Sequence, residues 1–242
     1  IVMVSRGTQA VAPMQCATWP VHAGMLGLAR TARIEAVLLN VLQVDTDALC
    51  TASAYHTMHA MPAAESDVVV RVGNVHVPRL KAAEALLGAP AVVSNGHLLS
   101  GGLGGLGLVT GRWLATAGAA HVVLSSRSGA VGNGNVMGDG IQLRNGLSCA
   151  FSAARCDAAE PAHVAHLLAD MSTNASSNLS GVWHAAGVLA DGLLFKQNAQ
   201  MLRRVYAPKV HGAYTLHHAA STTAALDAYV LFSSVAALFG GG

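Results

Sequence analysis

The 242 residues are 52% hydrophobic and 11% charged, with a formal net charge of +2. A chain of this kind can bury one large or two modest cores, which excludes a disordered polymer, and its scattered Lys and Arg exclude the basic stripe of a nucleic-acid binder. The longest apolar run, Ala224 to Phe239, is broken by Asp227, Ser233 and Ser234, so no membrane span is expected.

Ile1 to Ser5 reads as a strand already under way, with no starting methionine or secretory signal, so an intracellular setting is expected. A helical stretch follows around Gly24 to Val37, then a strand around Leu39 to Val44. Val68 to Val72 and Val75 to Val77 form a β pair around Gly73-Asn74, a less usual hairpin turn than Asn-Gly. This half carries no glycine fingerprint and no nucleophile constellation, and it reads as structural.

Beyond it, Gly96 to Leu99 is a buried strand, and Ser100-Gly101-Gly102-Leu103-Gly104-Gly105-Leu106-Gly107 is a glycine turn leading into a helix. Leu106, Val109, Trp113 and Leu114 give that helix an apolar face, and Gly118 ends it. Gly102, Gly104 and Gly107 fit G-x-G-x-x-G. In that pattern the first glycine makes the tight turn, the second admits a pyrophosphate, and the third packs helix on strand. The helix N-terminus then offers unpaired N–H groups to the phosphates. With the strand His121 to Ser126 this is a βαβ unit, which turns a weak motif into a dinucleotide site.

The second strand ends Ser125-Ser126-Arg127-Ser128-Gly129, without an acid. An acid there would hold a ribose 2′-hydroxyl, whereas an arginine accommodates a 2′-phosphate, so NADPH is favoured over NADH. The plainer alternative is that Arg127 is a solvated loop cation. A Gly/Asn-rich insert, Ser128 to Gly146, is expected to be an exposed mobile loop. Strands at Leu147 to Ser152, Gly181 to Ala186 and Ala228 to Ser233, with helices between, complete an α/β, doubly wound parallel sheet of Rossmann type. The chain ends just after a strand and reads as a piece of a longer polypeptide.

Cys16, Cys50, Cys149 and Cys156 lie far apart and read as reduced, mostly buried thiols, and the 12 histidines show no metal-ligand spacing. No metal is expected.

Several segments together resemble one family. These are Ser100 to Gly107, Ser126-Arg127-Ser128-Gly129, Cys156-Asp157, His184-Ala185-Ala186-Gly187-Val188-Leu189, Ala207-Pro208-Lys209-Val210-His211-Gly212-Ala213 and Leu231-Phe232-Ser233-Ser234. In that order they resemble the catalytic subdomain of a ketoreductase domain from a modular polyketide synthase, a relative of the short-chain dehydrogenases/reductases. Ser5-Arg6-Gly7 and Gly27 to Glu35 resemble that family's structural subdomain. The resemblance implies a truncated structural subdomain over 1–92 and a catalytic subdomain over 93–242.

It further implies NADPH-dependent reduction of a β-ketoacyl thioester on an acyl carrier protein, during polyketide or fatty acid elongation, among neighbouring synthase domains. Hydride transfer builds negative charge on the carbonyl oxygen, so donors and a proton source must face it. Ser234 matches the family's oxygen-binding serine and Lys209 its lysine. Read alone, Ser234 is a strand-terminal turn residue and Lys209 a solvated helix cation. The proton-donating tyrosine should follow Ser234 and would fall beyond Gly242, and Tyr206, Tyr214 and Tyr229 do not fit the role. The 242 residues are therefore expected to bind NADPH weakly without reducing a ketone at full rate.

Cofactor contacts are implied for Gly101, Gly102, Leu103, Gly104, Gly105, Leu106, Gly107, Ser126, Arg127, Ala185, Ala186, Gly187 and Lys209. They are implied also for Asp157, whose plain alternative is a helix N-terminal acid. Leu189-Ala190-Asp191 resembles the Leu-Asp-Asp signature of enzymes forming the D-configured alcohol, with its middle residue altered. Two alternatives stay open: a catalytically silent nucleotide-binding or structural domain, and another Rossmann enzyme such as a free-standing reductase or an epimerase.

Overall fold

A computed structural model describes residues 1–11, 22–47, 65–79, 95–129, 148–174, 178–223 and 226–239. The expected loop at 128–146 lies almost wholly outside them, as do Cys16 and Cys50. The chain forms two compact units, one of Ile1–Ala85, Asp191–Gln197 and Ser233–Gly242, the other of Leu86–Ala190 and Asn198–Phe232. The boundary expected at 92/93 lies outside the described residues. The two short segments from the second half join the first unit through its helix: the Leu194 amide donates to the Glu35 carboxylate, and Arg30 Nη1 donates to the Ala237 carbonyl at 2.6 Å.

The first unit contains β1 (Val2–Arg6), α1 (Ala23–Glu35), β2 (Leu42–Thr46), β3 (Asp67–Arg71) and β4 (Asn74–His76). The sheet order is β1-β2-β3-β4, with the first three strands parallel and β4 antiparallel to β3. β2 starts at Leu42 and not at Leu39, because Val37 and Leu38 are solvent-exposed in the turn that closes α1. Ala29 and Ala32 of α1 pack with Val41, while Val44, Val68 and Val70 form a second apolar cluster.

At the carboxyl end of β2, Asp45 is fully buried. It pairs with Arg71 and accepts from Ser5 Oγ (2.7 Å) and from the amides of Thr8 and Gln9 (3.0 Å each). Burial alone would push this carboxyl up. The Arg71, Ser5, Thr8 and Gln9 donors outweigh it and hold the group below its ordinary value.

The β3–β4 turn uses Val72 and Gly73, with φ of 49° and 79°, and not Gly73-Asn74, because Arg71 pairs with Asn74. Positive φ at both central residues is the type I′ hairpin geometry. A β-branched side chain is strained there.

The second unit contains β5 (Gly96–Ser100), α2 (Gly105–Thr116), β6 (His121–Ser126), β7 (Ala150–Arg155), α3 (Pro161–Asn174), β8 (Leu179–His184), α4 (Ala199–Tyr206), a five-residue π turn (Ala207–His211), α5 (Gly212–Thr223) and β9 (Ala228–Leu231). A last single helical turn, α6 (Ala236–Phe239), belongs to the first unit. The five strands are all parallel in the order β7-β6-β5-β8-β9. Helices cover both faces. Leu98, Val123 and Val182 pack with Val164, Leu168 and Leu216 from α3 and α5, while Leu99, Val122 and Leu124 pack with Leu114 and Ala115 from α2. This is the doubly wound α/β fold expected.

Strand limits shift by a few residues. β7 runs from Ala150 because it pairs with β6 from His121↔Ala150 to Ser126↔Arg155. β8 ends at His184 and β9 at Leu231, which releases Ala185, Ala186, Phe232 and Ser233 into loops.

Of the four residues expected on the buried face of α2, only Leu114 is buried. Leu106, Val109 and Trp113 are exposed, whereas Gly107, Thr110, Gly111, Leu114 and Ala115 are buried. The helix lies so close to the sheet that small residues must face it. Trp113 instead meets Trp183 edge-on, ring centroids 5.5 Å apart.

Two outcomes are expected in the first unit. Val72→Asn creates an Asn-Gly type I′ turn and should stabilise the hairpin by ~1 kcal/mol, read as slower hydrogen exchange in β3 and β4. A carboxyl held low in the fold stabilises it above the unfolded pKa, and that support is lost as pH falls through the folded value. Exchange in β1 and β2 should therefore accelerate below about pH 4, and Asp45→Asn should abolish this acid sensitivity while costing roughly 3 kcal/mol at neutral pH through the stranded Arg71.

Candidate functional site

A cleft of about 250 Å³ opens at the carboxyl ends of four neighbouring strands of the second unit. Its walls are Ser100, Gly101 and Gly104 after β5, Ser126 and Arg127 at the end of β6, Cys156, Asp157 and Ala158 after β7, Ala185 to Val188 after β8, and Pro208 of the π turn. β5 lies between β6 and β8, so the chain reverses its winding direction at this point, where open α/β sheets bind ligands.

Close backbone contact makes the floor. Gly101 carries φ of 75°, and a Cβ on it would lie 2.6 Å from the Ala186 backbone. The tight turn is thus made by Gly101, one residue before the glycine to which the motif assigned it. Gly102 is buried behind it, where a Cβ would meet Leu124 Cα and the Leu99 carbonyl at 2.8 Å. The amides of both donate to the Ser125 carbonyl at 2.9 and 3.1 Å. A Cβ on Gly107 would lie 2.4 Å from Gly102 Cα, so the first turn of α2 sits directly on the loop.

Gly104 is the N-cap of α2 and provides no side-chain cap, and no acid lies in the first turn. The helix therefore presents its first amides to the loop side uncapped. Gly105 and Leu106 stand exposed in that turn, and Leu103 is tucked against the apolar cluster under α2.

The cleft brings together Gly101, Gly104, Ser126, Arg127, Asp157, Ala185, Ala186 and Gly187 of the residues singled out by sequence. Arg127 is exposed and makes no hydrogen bond or ion pair among the described residues. Ser126 Oγ accepts from the Gly129 amide at 3.1 Å and shapes the turn after β6. Asp157 Oδ1 accepts from the Ala159 amide at 3.0 Å, so it caps the turn ahead of α3 while also lining the cleft.

Lys209 does not line the cleft but follows Pro208, which does. Its Nζ donates to the Phe232 carbonyl at 3.1 Å, and its chain lies across Gly187, where a Cβ would be 2.7 Å from Lys209 Cε. Ser234 and Asp191 are exposed and belong to the first unit, and neither lines the cleft. Ser234 Oγ accepts from the Ala236 amide at 3.2 Å.

Sequence reasoning missed Ser100, Cys156, Ala158, Val188 and Pro208 as wall residues. Cys156 and Pro208 stand beside residues it did choose, in segments that carried the resemblance. Burial, with Asp157 beside it, pushes the Cys156 thiol up to about 11, so it stays protonated and unreactive at neutral pH. Cys149 is likewise buried and free. Among the described tyrosines, Tyr229 donates to the Ala213 carbonyl at 2.6 Å, and Tyr206 and Tyr214 are exposed. Among the described residues no group of three or more His, Cys, Asp or Glu could hold a metal ion, and no helix is long and apolar enough to cross a membrane.

Two family models match: the KR domain over residues 96–242, and the Rossmann fold domain of the polyketide synthase extender module SpnB over residues 1–80. The chain belongs to the KR domain family. It is 38% identical over 221 residues to polyketide synthase GfsA of Streptomyces halstedii, covering 90% of this chain and 3% of that protein. It is 35% identical over 246 residues to polyketide synthase GfsB of the same organism, covering 99% of this chain and 4% of that protein. The solved first ketoreductase of the tylosin PKS superposes with a TM-score of 0.84 at 30% identity, over 99% of this chain and 51% of that one. The chain thus spans about half of that structure and a small part of the synthases.

A Rossmann fold of this family implies a nicotinamide cofactor, and the residues fit one. The floor is backbone without side chains, the helix start is uncapped, and a free cation stands at the end of β6. The cleft is smaller than the roughly 300–1,000 Å³ of a closed small-molecule pocket, so an extended dinucleotide would lie partly at the surface.

Two glycines of α2 should answer oppositely to alanine. Gly107→Ala forces backbone apart and should cost about 2 kcal/mol in urea unfolding of the second unit and abolish dinucleotide binding. Gly111→Ala meets only side-chain atoms at ordinary contact distance, Leu124 at 3.4 Å, Phe151 at 3.6 Å and Leu99 at 3.9 Å, and should gain roughly 0.5–1 kcal/mol.

Proposed function

We propose that this KR chain binds NADPH and belongs to a ketoreductase that converts a β-ketoacyl thioester, carried on an acyl carrier protein, to the β-hydroxyacyl thioester. The observation that carries this is the glycine-floored cleft at the strand ends, with Arg127 unpaired among the described residues at its rim and no acid at the end of β6. A 2′-phosphate adds two negative charges to a ribose, and an unpaired guanidinium meets them with charge-assisted hydrogen bonds. An acid at that place would repel them.

The reduced nicotinamide supplies hydride to the ketone carbon when bound. The residues of the chain divide the remaining work. The amides at the start of α2 would take the diphosphate, and Asp157 would meet the adenine. Ala185, Ala186 and Gly187 would leave room for the nicotinamide ribose, and Lys209, lying across Gly187, would complete that side of the site. Ser234 donates to the ketone oxygen as charge develops on it. Asp191 sets the D-configured alcohol as the product. The ketoreductase character of the solved relatives and the synthase context of the curated ones support the substrate class and the neighbouring synthase domains as partners.

Among the described tyrosines, Tyr229 is committed to the Ala213 carbonyl, and none of Tyr206, Tyr214 and Tyr229 lines the cleft. The 242 residues alone should bind the cofactor weakly and should not reduce a ketone at the parent enzyme's rate.

Arg127→Ala tests the cofactor choice. Calorimetric titration should show NADPH affinity falling at least about tenfold, the scale of one charge-assisted hydrogen bond, with NADH affinity unchanged. Equal losses for both would overturn the phosphate role, and a wild-type chain binding neither would overturn the dinucleotide site itself.

A further inference from the structure

We infer that His184 is the positioning residue for Lys209, joined to both ends of that side chain. This rests on the reading of Lys209 as a cofactor-site residue. The geometry itself is independent of that reading.

His184 is the last residue of β8 and is 2% exposed. Its Nε2 lies 2.8 Å from the Pro208 carbonyl. A carbonyl only accepts, so Nε2 must carry the proton, and Nδ1 is left as the bare nitrogen, buried and without a partner among the described residues. Burial foremost, with the Lys209 charge nearby, pushes the imidazole down and keeps it neutral. A buried histidine with one nitrogen orphaned is costly. It is retained here at a place where its other nitrogen fixes one particular carbonyl.

That carbonyl opens the peptide leading into Lys209. Pro208 has no N–H to continue the helix from α4, and the backbone takes a π turn, in which the Gly212 amide donates to the Ala207 carbonyl five residues back. A π turn can settle in more than one register, and the Pro208 carbonyl bound to His184 selects one. Gly212 is part of the same fit, since a Cβ there would come within 3.1 Å of the His184 ring.

The far end of Lys209 is governed by the same residue. Lys209 Nζ donates to the Phe232 carbonyl, and the Phe232 amide donates to the His184 carbonyl at 3.0 Å. His184 thus holds the root of the lysine through its ring and the anchor of its ammonium through its backbone. Gly187, three residues further on, leaves the channel in which the chain lies.

The test compares His184→Gln, whose amide nitrogen can replace Nε2, with His184→Leu, which has no donor. Each variant is acylated with limiting amine reagent in the absence of nucleotide, and Lys209 is scored against Lys196 by peptide mass spectrometry. Lys209 should react at the wild-type rate in the Gln variant and about threefold or more faster in the Leu variant. An unchanged rate in a folded Leu variant overturns the proposal.

Nitrogen-15 NMR of unmodified protein covers the case in which His184→Leu fails to fold: the Nε2–H tautomer is expected, and the Nδ1–H tautomer overturns it. In NADPH titrations, His184→Leu should add no loss in a Lys209→Ala background. A fully additive loss marks a merely structural histidine and overturns positioning. If the wild-type chain binds no NADPH, the cofactor reading fails, and the acylation and tautomer results still decide this one.

Discussion

The second unit depends on one contact, the first turn of α2 resting backbone to backbone on the loop that leaves β5. Gly107 against Gly102, and Gly101 against Ala186, leave no space for a Cβ on any of the three glycines. This approach brings the uncapped start of the helix down to the edge of the sheet, where an anion could meet its amides. Side chains at these points would lift the helix and close the cleft together. The same approach decides which side of α2 is inward: Gly107, Thr110 and Gly111 face the sheet ahead of Leu114, which reaches the apolar cluster.

That contact also explains what could and could not be read from residues alone. The glycine run between two apolar strands was legible, since a turn, a close approach and a helix start each demand glycine at a fixed offset. The face of α2 was not. Large apolar residues at helical spacing normally mark the buried side, but Leu106, Val109 and Trp113 are excluded by the closeness that the glycines create. The existence of the strands and their parallel, doubly wound arrangement were legible from the β and α alternation. Strand ends were not, because a parallel partner sets them: β7 takes its limits from β6, not from its own apolar run. The Val72-Gly73 turn was hidden for a similar reason, as the pairing of Arg71 with Asn74 overrides the preference of valine against positive φ.

The site was more legible than the packing because its wall residues share a simple position, the first residues after a parallel strand. Ser126 and Arg127, Asp157, and Ala185 to Gly187 all fall there, so placing the strands nearly placed them. Pro208 escaped because it comes from a helical segment, and its place in the wall depends on a π turn that no hydrophobic period announces. His184 escaped because a histidine at the end of a buried strand reads as core. Only its contacts with Pro208 and Phe232 show that it links two distant parts of the chain.

The two units share parallel strands yet treat the carboxyl end of the sheet in opposite ways. In the first unit the loop after β1 also turns its amides inward, but Thr8 and Gln9 donate to Asp45, a carboxylate built into the neighbouring strand and neutralised by Arg71. An internal anion thus occupies donors of the kind that an external phosphate would need. In the second unit the end of β6 carries Ser125 and Ser126 where β2 carries Asp45 and Thr46, and the cation Arg127 remains unpaired among the described residues. A strand-end carboxylate held below its ordinary pKa is charged throughout the neutral range and repels a phosphate. The capacity to bind a dinucleotide therefore follows less from the shared strand arrangement than from whether the sheet supplies its own negative charge at that edge.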